Sequence, residues 1–334
     1  MAVSLPRQLR KVTNKALLKT LEAGLEQVET ALETAVSNTD PIANVTSRHL
    51  TLAGGKRIRP TLVLLASQLG EANNSHVIDA AVVVELTHLA TLYHDDVMDN
   101  APMRRGVPTA HEIWGNSVAI LTGDLLFARA SQVVSRLGVR ALTLQANTFE
   151  RLCLGQLHET LGPQEGDNPV EHYIQVLADK TGSLIAAAAE LGVMFGSADE
   201  AYLEPMRQYG EKIGVAFQLI DDVIDIHSDG KTSGKTPGTD LLAGVPTLPV
   251  LLLRKHAETN AESAALVASI DAGLTSETLP AVVEALRTHP ATQEAHNEAQ
   301  RWADEAVAAL APLPDGPVKQ ALASFAQAVV DRQQ

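Results

Sequence analysis

Hydrophobic residues recur along most of this chain at the spacing of an α-helix. The first clear stripe runs from Leu17 to Leu32, with charged residues on the opposite face, as in an amphipathic helix. Similar runs cover residues 57–70, 77–99, 117–137, 141–161, 182–195, 200–226 and 297–311. No segment alternates polar and apolar residues over the length of a strand, so we predict a chain without strands.

Glycine, proline and short polar residues mark the predicted ends of these helices. The breaks fall at Asp40-Pro41, Gly54-Gly55, Gly106-Val107-Pro108, Gly162-Pro163 and residues 312–316. The longest break, residues 227–246, is rich in glycine, serine, threonine and lysine and is too polar for a helix. We predict a functional loop there, with a domain linker as the alternative, because long connections often bind or cover ligands.

The composition supports a helical protein. Hydrophobic residues make up 45% of the 334 residues and aromatic residues only 3%, so alanine, leucine and valine supply the apolar surface. Because alanine and leucine are strong helix formers, we predict an all-α fold. The single cysteine, Cys153, cannot form an internal disulfide, which favours a reducing, cytoplasmic location.

The charge of the chain excludes some partners. A net charge of −14 argues against nonspecific binding of nucleic acid. The basic residues 1–15 precede no long apolar run, so we predict neither a secretory signal nor a transmembrane helix. These basic residues leave two interpretations open, a solvated helix face or a peripheral contact with a membrane surface.

Two Asp-Asp-x-x-Asp clusters carry the candidate chemistry. In HDDVMD, Asp95 and Asp99 are spaced i, i+4 and share one helix face, whereas Asp96 points about 100° away. Like charges at this spacing destabilise a bare helix, so we expect a compensating cation. Carboxylate oxygens without cysteine favour magnesium or calcium over zinc.

The second cluster, in FQLIDDVID, repeats this spacing at Asp221 and Asp225, with Asp222 beside the first of them. A single acidic cluster on a helix is usually a solvated face, but two clusters within apolar helices favour a metal site. Because magnesium combines a few carboxylates with phosphate oxygens, we expect a substrate that carries a diphosphate.

Basic residues suited to a diphosphate lie near the first cluster. The segment GGKRIRP places Lys56 and Arg59 at a predicted helix start, where glycine allows a close approach and the helix N-terminus favours anions. Arg104 and Arg105 follow the cluster, and arginine binds phosphate in a bidentate manner. Each of these groups alone could equally be a helix cap or an exposed turn.

Three further candidates complete the basic set. His88 lies two turns before the first cluster on the same face, Lys180 begins a small-residue helix, and Lys235 lies in the polar loop. The chain contains no GxxxxGK[ST] segment, so the phosphates are not held as in ordinary nucleotide hydrolases.

Seven segments occur in the order typical of one family: GGKRIRP, HDDVMD, MRRGVPT, GDLLFA, DKTGSL, AFQLIDDVID and GKTPGTD. With them the chain resembles the trans-polyprenyl diphosphate synthases, most strongly over residues 45–250. The resemblance implies one all-α domain over residues 1–334, with the core at 45–250 and C-terminal helices at 250–331. It also implies long antiparallel helices around a deep central cavity, and a homodimer.

The resemblance assigns roles to the candidate residues. The metal ligands, for about three Mg²⁺ ions, would be Asp95, Asp99 and Asp221, supported by Asp96, Asp222 and Asp225. The allylic diphosphate would be held by Arg104, Lys180 and Lys235, and the diphosphate of isopentenyl diphosphate by Lys56, Arg59, His88 and Arg105. The predicted catalytic residues are Lys180, Thr181 and Gln218, of which Thr181 and Gln218 would line the reacting carbons.

The implied reaction is a magnesium-dependent condensation of isopentenyl diphosphate with geranyl, farnesyl or geranylgeranyl diphosphate. The allylic diphosphate departs, the double bond of isopentenyl diphosphate attacks the allylic cation, and a proton is lost. In the family the released diphosphate is the usual base, so no side chain is needed as a nucleophile.

Product length in this family depends on side chains below the first cluster. Short-chain synthases often carry aromatic rings there, whereas this chain has Ala90, Thr91 and, about 12 Å below the cluster, Thr87. Small side chains leave a deep floor, so we predict a product of about C30 to C50, used for a menaquinone-type side chain. Phe127 or Phe149 could close the floor, and a farnesyl or geranylgeranyl synthase is the alternative.

Three other functions fit the sequence less well than this one. A terpene cyclase would carry Ser or Thr and then Glu where this chain has Asp225 and Asp229. A noncatalytic partner subunit would typically lose one aspartate cluster, and both are kept here. A calcium-buffering helical protein would leave GGKRIRP unexplained, and the chain has no EF-hand loop.

Overall fold

The computed structural model describes residues 14–70, 74–227 and 237–332. Nearly all regular structure in these ranges is helical, which confirms the all-α prediction. In chain order the α-helices are α1 (Lys15–Val36), α2 (Pro41–Leu52), α3 (Ile58–Ser67), α4 (Ser75–Met98), α5 (Ala110–Trp114), α6 (Asn116–Val134), α7 (Val139–Leu161), α8 (Pro169–Leu177), α9 (Ser183–Phe195), α10 (Leu203–His227), α11 (Thr239–Leu242), α12 (Leu248–Ala257), α13 (Ala261–Asp271), α14 (Leu279–Thr288), α15 (Pro290–Ala309) and α16 (Pro317–Val330).

Shorter elements join these helices. Two 3₁₀ turns span Ser135–Leu137 and Glu200–Tyr202. The segment Ala178–Gly182, between α8 and α9, has π-helical hydrogen bonding, and we name it the π-turn. It coincides with the DKTG part of the sequence, which therefore lies in an irregular turn rather than at an ordinary helix start.

Contacts between Cα atoms divide the chain into two compact units that interleave along the sequence. Unit 1 contains residues up to 150, 184–210 and 309–324. Unit 2 contains residues 151–183, 211–308 and those from 325 onward. The sequence-based expectation of one domain, with its core at 45–250, stays a prediction.

Local sequence signals explain where the helices begin. The side chain of Asn14 accepts a hydrogen bond of 2.8 Å from the Leu17 backbone N–H, which caps α1. At the predicted break Asp40-Pro41, Asp40 caps α2 and Pro41 occupies its first turn, where the missing N–H has no cost. The predicted runs 77–99 and 141–161 match α4 and α7 within two residues.

The prediction of a chain without strands is wrong at one hairpin in unit 1. Strands β1 (Met103–Arg104) and β2 (Val107–Pro108) pair antiparallel. Between them Arg105 and Gly106 have φ angles of 53° and 79°, which is the left-handed geometry of a tight hairpin turn. Strands of two residues are too short to produce an alternating pattern.

The long polar segment 227–246 is also more ordered than predicted. Its first residue belongs to α10, and α11 forms near its end, so the prediction of a continuous loop is wrong at both places. Residues 228–236 lie outside the described part of the chain.

Each unit has its own apolar core. In unit 1, α4 is buried on nearly all sides, and its Tyr93 is fully buried. The Tyr93 hydroxyl donates to Thr46 O at 2.5 Å and accepts from Leu50 N at 3.2 Å, which ties α4 to α2. In unit 2 a cluster around α10 to α15 comprises Ile226, Leu241, Val250, Leu253, Leu279, Val282, Val283, Leu286 and Ala291.

Two described helices, Ser75–Met98 and Asn116–Leu137, are long and apolar enough to cross a membrane. They pack against each other in unit 1, and 67% of the apolar window in the first is buried. Core helices pass the same test of length and composition. The expectation of no transmembrane helix therefore stays a prediction.

Candidate active site

The first aspartate cluster lies at the C-terminal end of α4. Asp95 is half-buried and Asp99, the residue after the helix, is exposed. Asp96 is buried, and its Oδ1 accepts a hydrogen bond of 2.6 Å from Arg104 Nε. Burial raises the pKa of Asp96, and the bond to Arg104 opposes that shift. The other oxygen, Oδ2, is buried and has no partner within the described ranges.

A buried ion-pair network supports the GGKRIRP segment. Arg57, the residue before α3, has a φ of 47° and is 3% exposed. Its Nε donates to Glu29 Oε1 at 2.5 Å and its Nη1 to Glu85 Oε1 at 2.7 Å. Arg105 reaches the same segment, because its Nη1 donates to Leu50 O at 2.9 Å and also to Gly54 O. This network fixes the backbone from which the predicted cations project.

The sequence placed Arg57 in the basic GGKRIRP segment but did not indicate its buried pairing with Glu29 and Glu85. The available signal was Glu85, a lone acid inside the apolar run AAVVVELTHLA. A buried carboxylate needs a cationic partner, so its presence in a core helix predicts an arginine or lysine nearby. Which cation it pairs with could not be read from the spacing.

His88 lies among the predicted basic residues of unit 1. Its pKa is well below the usual value of histidine, first because it is desolvated and then because Arg59, Arg105, Arg104 and Arg57 are positive. The imidazole is therefore neutral at pH 7. The structure thus brings together four of the predicted diphosphate ligands, with Lys56 exposed on the same segment.

Arg59 is the clearest candidate for an anion ligand among them. Its Nε is buried and has no hydrogen-bond partner in the described part of the chain. Burial lowers its pKa to about 10, Glu85 opposes the shift, and Arg105 adds to it. A buried guanidinium nitrogen without an acceptor is costly, and a phosphate oxygen would satisfy it.

The second cluster lies on α10 in unit 2, and its three aspartates have different partners. Asp221 Oδ1 accepts an ion-paired hydrogen bond from Arg332, whose guanidinium lies 4.4 Å from the centroid of the Phe217 ring. Asp222 is buried and accepts from the Tyr173 hydroxyl at 2.7 Å. Burial raises the pKa of Asp222 to about 8, although the bond from Tyr173 lowers it.

Asp225 anchors the later part of the polar segment, where α11 begins. Its Oδ1 accepts from Thr239 Oγ1 at 2.6 Å, its Oδ2 from Asp240 N at 3.2 Å, and its backbone carbonyl from Gly238 N at 2.9 Å. These partners lie more than ten residues away in sequence, so the repeated i, i+4 spacing did not reveal them.

The predicted catalytic residues of unit 2 lie on two elements. Lys180 and Thr181 are half-buried in the π-turn, and the ammonium of Lys180 pairs with Glu159 of α7. Gln218 is half-buried on α10, one turn before Asp221 and Asp222. Lys235 lies outside the described residues.

The predicted floor residues differ in exposure. Ala90 and Thr87 are 1% exposed, so their small side chains are already packed against neighbours. Thr91 is half-buried, and its hydroxyl donates to His88 O at 2.9 Å. Phe127 and Phe149 stack with ring centroids 3.6 Å apart. Small side chains at these positions therefore do not by themselves create an open channel.

Known proteins match this chain over nearly its whole length. The family model of the polyprenyl synthetases matches residues 40–285. The nonaprenyl diphosphate synthase of Mycobacterium tuberculosis is 41% identical over 314 residues, which cover 93% of each chain. The chain belongs to the polyprenyl synthetase family. As a polyprenyl synthetase it is a prenyltransferase, and its helices form the all-α isoprenoid synthase fold.

Two further relatives of this polyprenyl synthetase are named for different products, and one of them is named as a component. Heptaprenyl diphosphate synthase component 2 of Geobacillus stearothermophilus is 36% identical over 301 residues, covering 90% of this chain and 93% of the relative. The geranylgeranyl pyrophosphate synthase of Corynebacterium glutamicum, crystallised with calcium and isoprenyl diphosphate, is 43% identical with a TM-score of 0.86. The match covers 96% of this chain and 98% of that structure.

The carboxylate oxygens of this polyprenyl synthetase fit a divalent metal ion whose remaining ligands are phosphate oxygens and water. Within residues 14–70, 74–227 and 237–332, no group of three or more His, Cys, Asp or Glu side chains is arranged to hold an ion alone. Asp95 and the exposed Asp99 would supply hard oxygen ligands, and the buried Asp96 Oδ2 next to Asp95 in sequence has no hydrogen-bond partner in the described part of the chain. Magnesium tolerates few protein ligands when phosphate oxygens and water complete its shell.

Proposed function

We propose that this protein is a magnesium-dependent, long-chain trans-polyprenyl diphosphate synthase that adds isopentenyl diphosphate to an allylic diphosphate. The observation that carries the proposal is the set of Arg59, His88, Arg104 and Arg105 around the end of α4, in a chain whose family makes prenyl diphosphates. The proposal includes a cytoplasmic location, peripheral membrane contact during product release, and use of the product as a quinone side chain.

The basic residues of unit 1 would bind diphosphate. The unpartnered Arg59 Nε offers a donor for isopentenyl diphosphate, together with Lys56, His88 and Arg105. Arg104 is 32% exposed in its side chain, so guanidinium nitrogens not bonded to Asp96 remain available for the allylic diphosphate. Lys180 and Lys235 would bind the same group.

The aspartates would hold the magnesium ions, of which we propose three. Asp95, Asp99 and Asp221 would be the principal ligands, and Asp225 a supporting one. Asp96 and Asp222 are buried and hydrogen-bonded to Arg104 and Tyr173, so they would orient their neighbours. Bound magnesium would offset the negative charge that develops on the departing diphosphate.

The chain's own residues would then protect and direct the reaction. The allylic C–O bond breaks with both electrons going to the diphosphate, and the double bond of isopentenyl diphosphate attacks the cation. The released diphosphate accepts the proton that restores a double bond. Thr181 and Gln218 would line the reacting carbons, and exclusion of water would prevent hydrolysis of the cation.

His88 should take up a proton when diphosphate binds. In the free protein, desolvation and four arginines hold its pKa well below the usual value, so it is neutral at pH 7. Bound diphosphate would cancel the arginine charge and raise that pKa. We expect up to about one additional proton per site between pH 7 and pH 6. Calorimetry of isopentenyl diphosphate binding, in buffers of different ionisation enthalpy, measures this proton uptake.

The ligand's own ionisation also contributes protons to such a titration. The matched variant His88→Asn retains the ligand contribution and lacks the histidine. Equal proton uptake by the wild type and His88→Asn would show that His88 does not sense the bound diphosphate.

Product length is tested directly by synthesis. Incubation with Mg²⁺, labelled isopentenyl diphosphate and geranyl, farnesyl or geranylgeranyl diphosphate should give products of about C30 to C50. The nonaprenyl relative supports this length, whereas the similarity to a geranylgeranyl synthase favours a C20 product as the second candidate. A product that stops at C20 with every primer would overturn the long-chain proposal.

The protein should form a homodimer. Unit 1 exposes large apolar side chains on α5, α6 and the start of α7, where Leu121 is 66% and Val139 79% exposed. A second copy would cover them, because a soluble monomer rarely leaves such a patch in water. Light scattering should give about twice 35.5 kDa, and Leu121→Glu should halve that mass, unlike the control Ile42→Glu on α2. A monomeric wild type active only with a second, different subunit would contradict this.

A further inference from the structure

One face of α7 holds the π-turn at three successive points. Arg151, Gly155 and Glu159 are spaced four residues apart, so they lie along one side of the helix. Arg151 Nε donates to Asp179 Oδ1 at 2.7 Å, and Glu159 pairs with the ammonium of Lys180. Between them, a Cβ added to Gly155 would lie 2.8 Å from the Lys180 backbone nitrogen, so only glycine permits this approach.

Asp179 is the residue through which Arg151 acts on the π-turn. It is 8% exposed, and its second oxygen accepts from Gln175 Nε2 at 2.8 Å. Its backbone carbonyl accepts from Ser183 Oγ at 2.5 Å. Both carboxylate oxygens and the carbonyl are therefore bound, and Lys180 and Thr181 follow directly in sequence.

Arg151 also joins the π-turn to α10. Its Nη1 donates to Glu211 Oε2 at 2.7 Å. A Cβ added to Gly182, at the end of the π-turn, would lie 3.0 Å from the Glu211 backbone oxygen, so the turn is in close contact with that helix. One guanidinium thus bridges the π-turn and the helix that carries the second aspartate cluster.

This arrangement matters because the π-turn departs from α-helical geometry between α8 and α9. Hydrogen bonding from residue i to residue i+5 is rare, and it is frequently found at functional sites. A half-buried, fully bonded charge network can select one arrangement of such a segment. The direction of the Lys180 and Thr181 side chains therefore depends on the contacts that hold Asp179.

We propose that Arg151 is a positioning residue for prenyl transfer. Through Asp179 it fixes the π-turn and thereby the direction in which Lys180 and Thr181 face the allylic diphosphate. The inference rests on the proposed roles of Lys180 and Thr181, through which Arg151 would act on the substrate. A purely structural role would stabilise the protein without any specific energetic coupling to Lys180.

A double-mutant cycle on prenyl transfer separates these two roles. Arg151→Gln should lower kcat/KM for the allylic primer about 10- to 100-fold in the wild-type background, because a misplaced binding group loses its alignment. In the Lys180→Ala background, Arg151→Gln should lower kcat/KM for the allylic primer less than about threefold, because the group that Arg151 positions is gone. The KM for isopentenyl diphosphate should change little in either background.

Two further variants keep this experiment decisive. Circular dichroism checks whether Arg151→Gln folds. If it does not, Asp179→Asn takes its place in the cycle, because asparagine has the same shape as aspartate. Lys212→Gln is the matched control, because Lys212 lies beside Glu211 and pairs with Glu305 at 2.5 Å instead of with the π-turn. It should leave kcat/KM within about threefold of the wild type.

The outcomes distinguish this inference from the proposed function. Additive effects of Arg151→Gln and Lys180→Ala in an active enzyme would overturn the positioning role alone. A wild-type protein that transfers no prenyl group to any primer would overturn the proposed function, and the positioning role with it.

Discussion

Asp95→Asn should lower kcat/KM for prenyl transfer by about 10³-fold or more, because it removes a charge that would hold magnesium against the departing diphosphate. The substitution keeps the shape of a half-buried side chain at the end of α4, so the fold should be retained. Steady-state rates with saturating Mg²⁺ measure the loss, and a Mg²⁺ titration should show a higher requirement in the variant.

Asp79→Asn is the matched control for this variant. It makes the same chemical change on the same helix, near the opposite end, where Asp79 lies 3.8 Å from Arg136. A partly exposed pair at that distance contributes little, so activity should stay within about threefold of the wild type. If Asp95→Asn also retains activity within tenfold, the assignment of Asp95 as a principal metal ligand fails.

Thr91→Phe should convert a long-chain product into one of about C15 to C20. Thr91 is half-buried one turn before Asp95, so a ring there would occupy the path of the growing chain. The first condensation should proceed at nearly the wild-type rate, because the reacting carbons of the proposed site would lie above the ring. Product sizes after exhaustive reaction with labelled isopentenyl diphosphate decide the outcome.

The structure directs this test to Thr91 rather than Ala90. Ala90 is 1% exposed, so a phenylalanine there would overpack the core, which typically costs about 1–3 kcal/mol of unfolding free energy. Leu92→Phe is the control, since it adds a ring at the next half-buried position, about 100° around the helix. Equal shortening by Thr91→Phe and Leu92→Phe would show that position on the helix does not determine product length.

Sequence periodicity predicted the long helices well, because their apolar residues are set by burial. The run 77–99 became Ser75–Met98, and the polar residue Asn74 caps it by accepting from Val77 N at 3.0 Å. The short hairpin was not predicted, because burial does not determine its geometry. The hairpin at Met103–Pro108 depends on two residues with positive φ, and a pattern of hydrophobicity carries no information about them.

The sequence allowed us to predict which residues belong to the candidate site, but not most of the interactions that these residues make. Arg59, His88, Arg104 and Arg105 could be grouped because they flank one aspartate cluster in sequence. The partners of the second cluster could not, since Tyr173 precedes Asp222 by 49 residues and Arg332 follows Asp221 by 111. Such pairs arise from the packing of distant helices, which local spacing does not encode.

The bonds made by Asp225 have a consequence for how this protein can vary. Gly238 and Thr239 bind Asp225, so the chain leaves α10 and returns to the same aspartate. These bonds fix the two ends of the connection, and each doubling of the length between fixed ends costs only about 0.6 kcal/mol in closure entropy. Insertions between residues 228 and 234, which leave Lys235 in place, should therefore be tolerated without shifting α10 or α11. Substitution of Asp225 would instead remove the carboxylate that accepts from Thr239 Oγ1 and Asp240 N, and so loosen the start of α11.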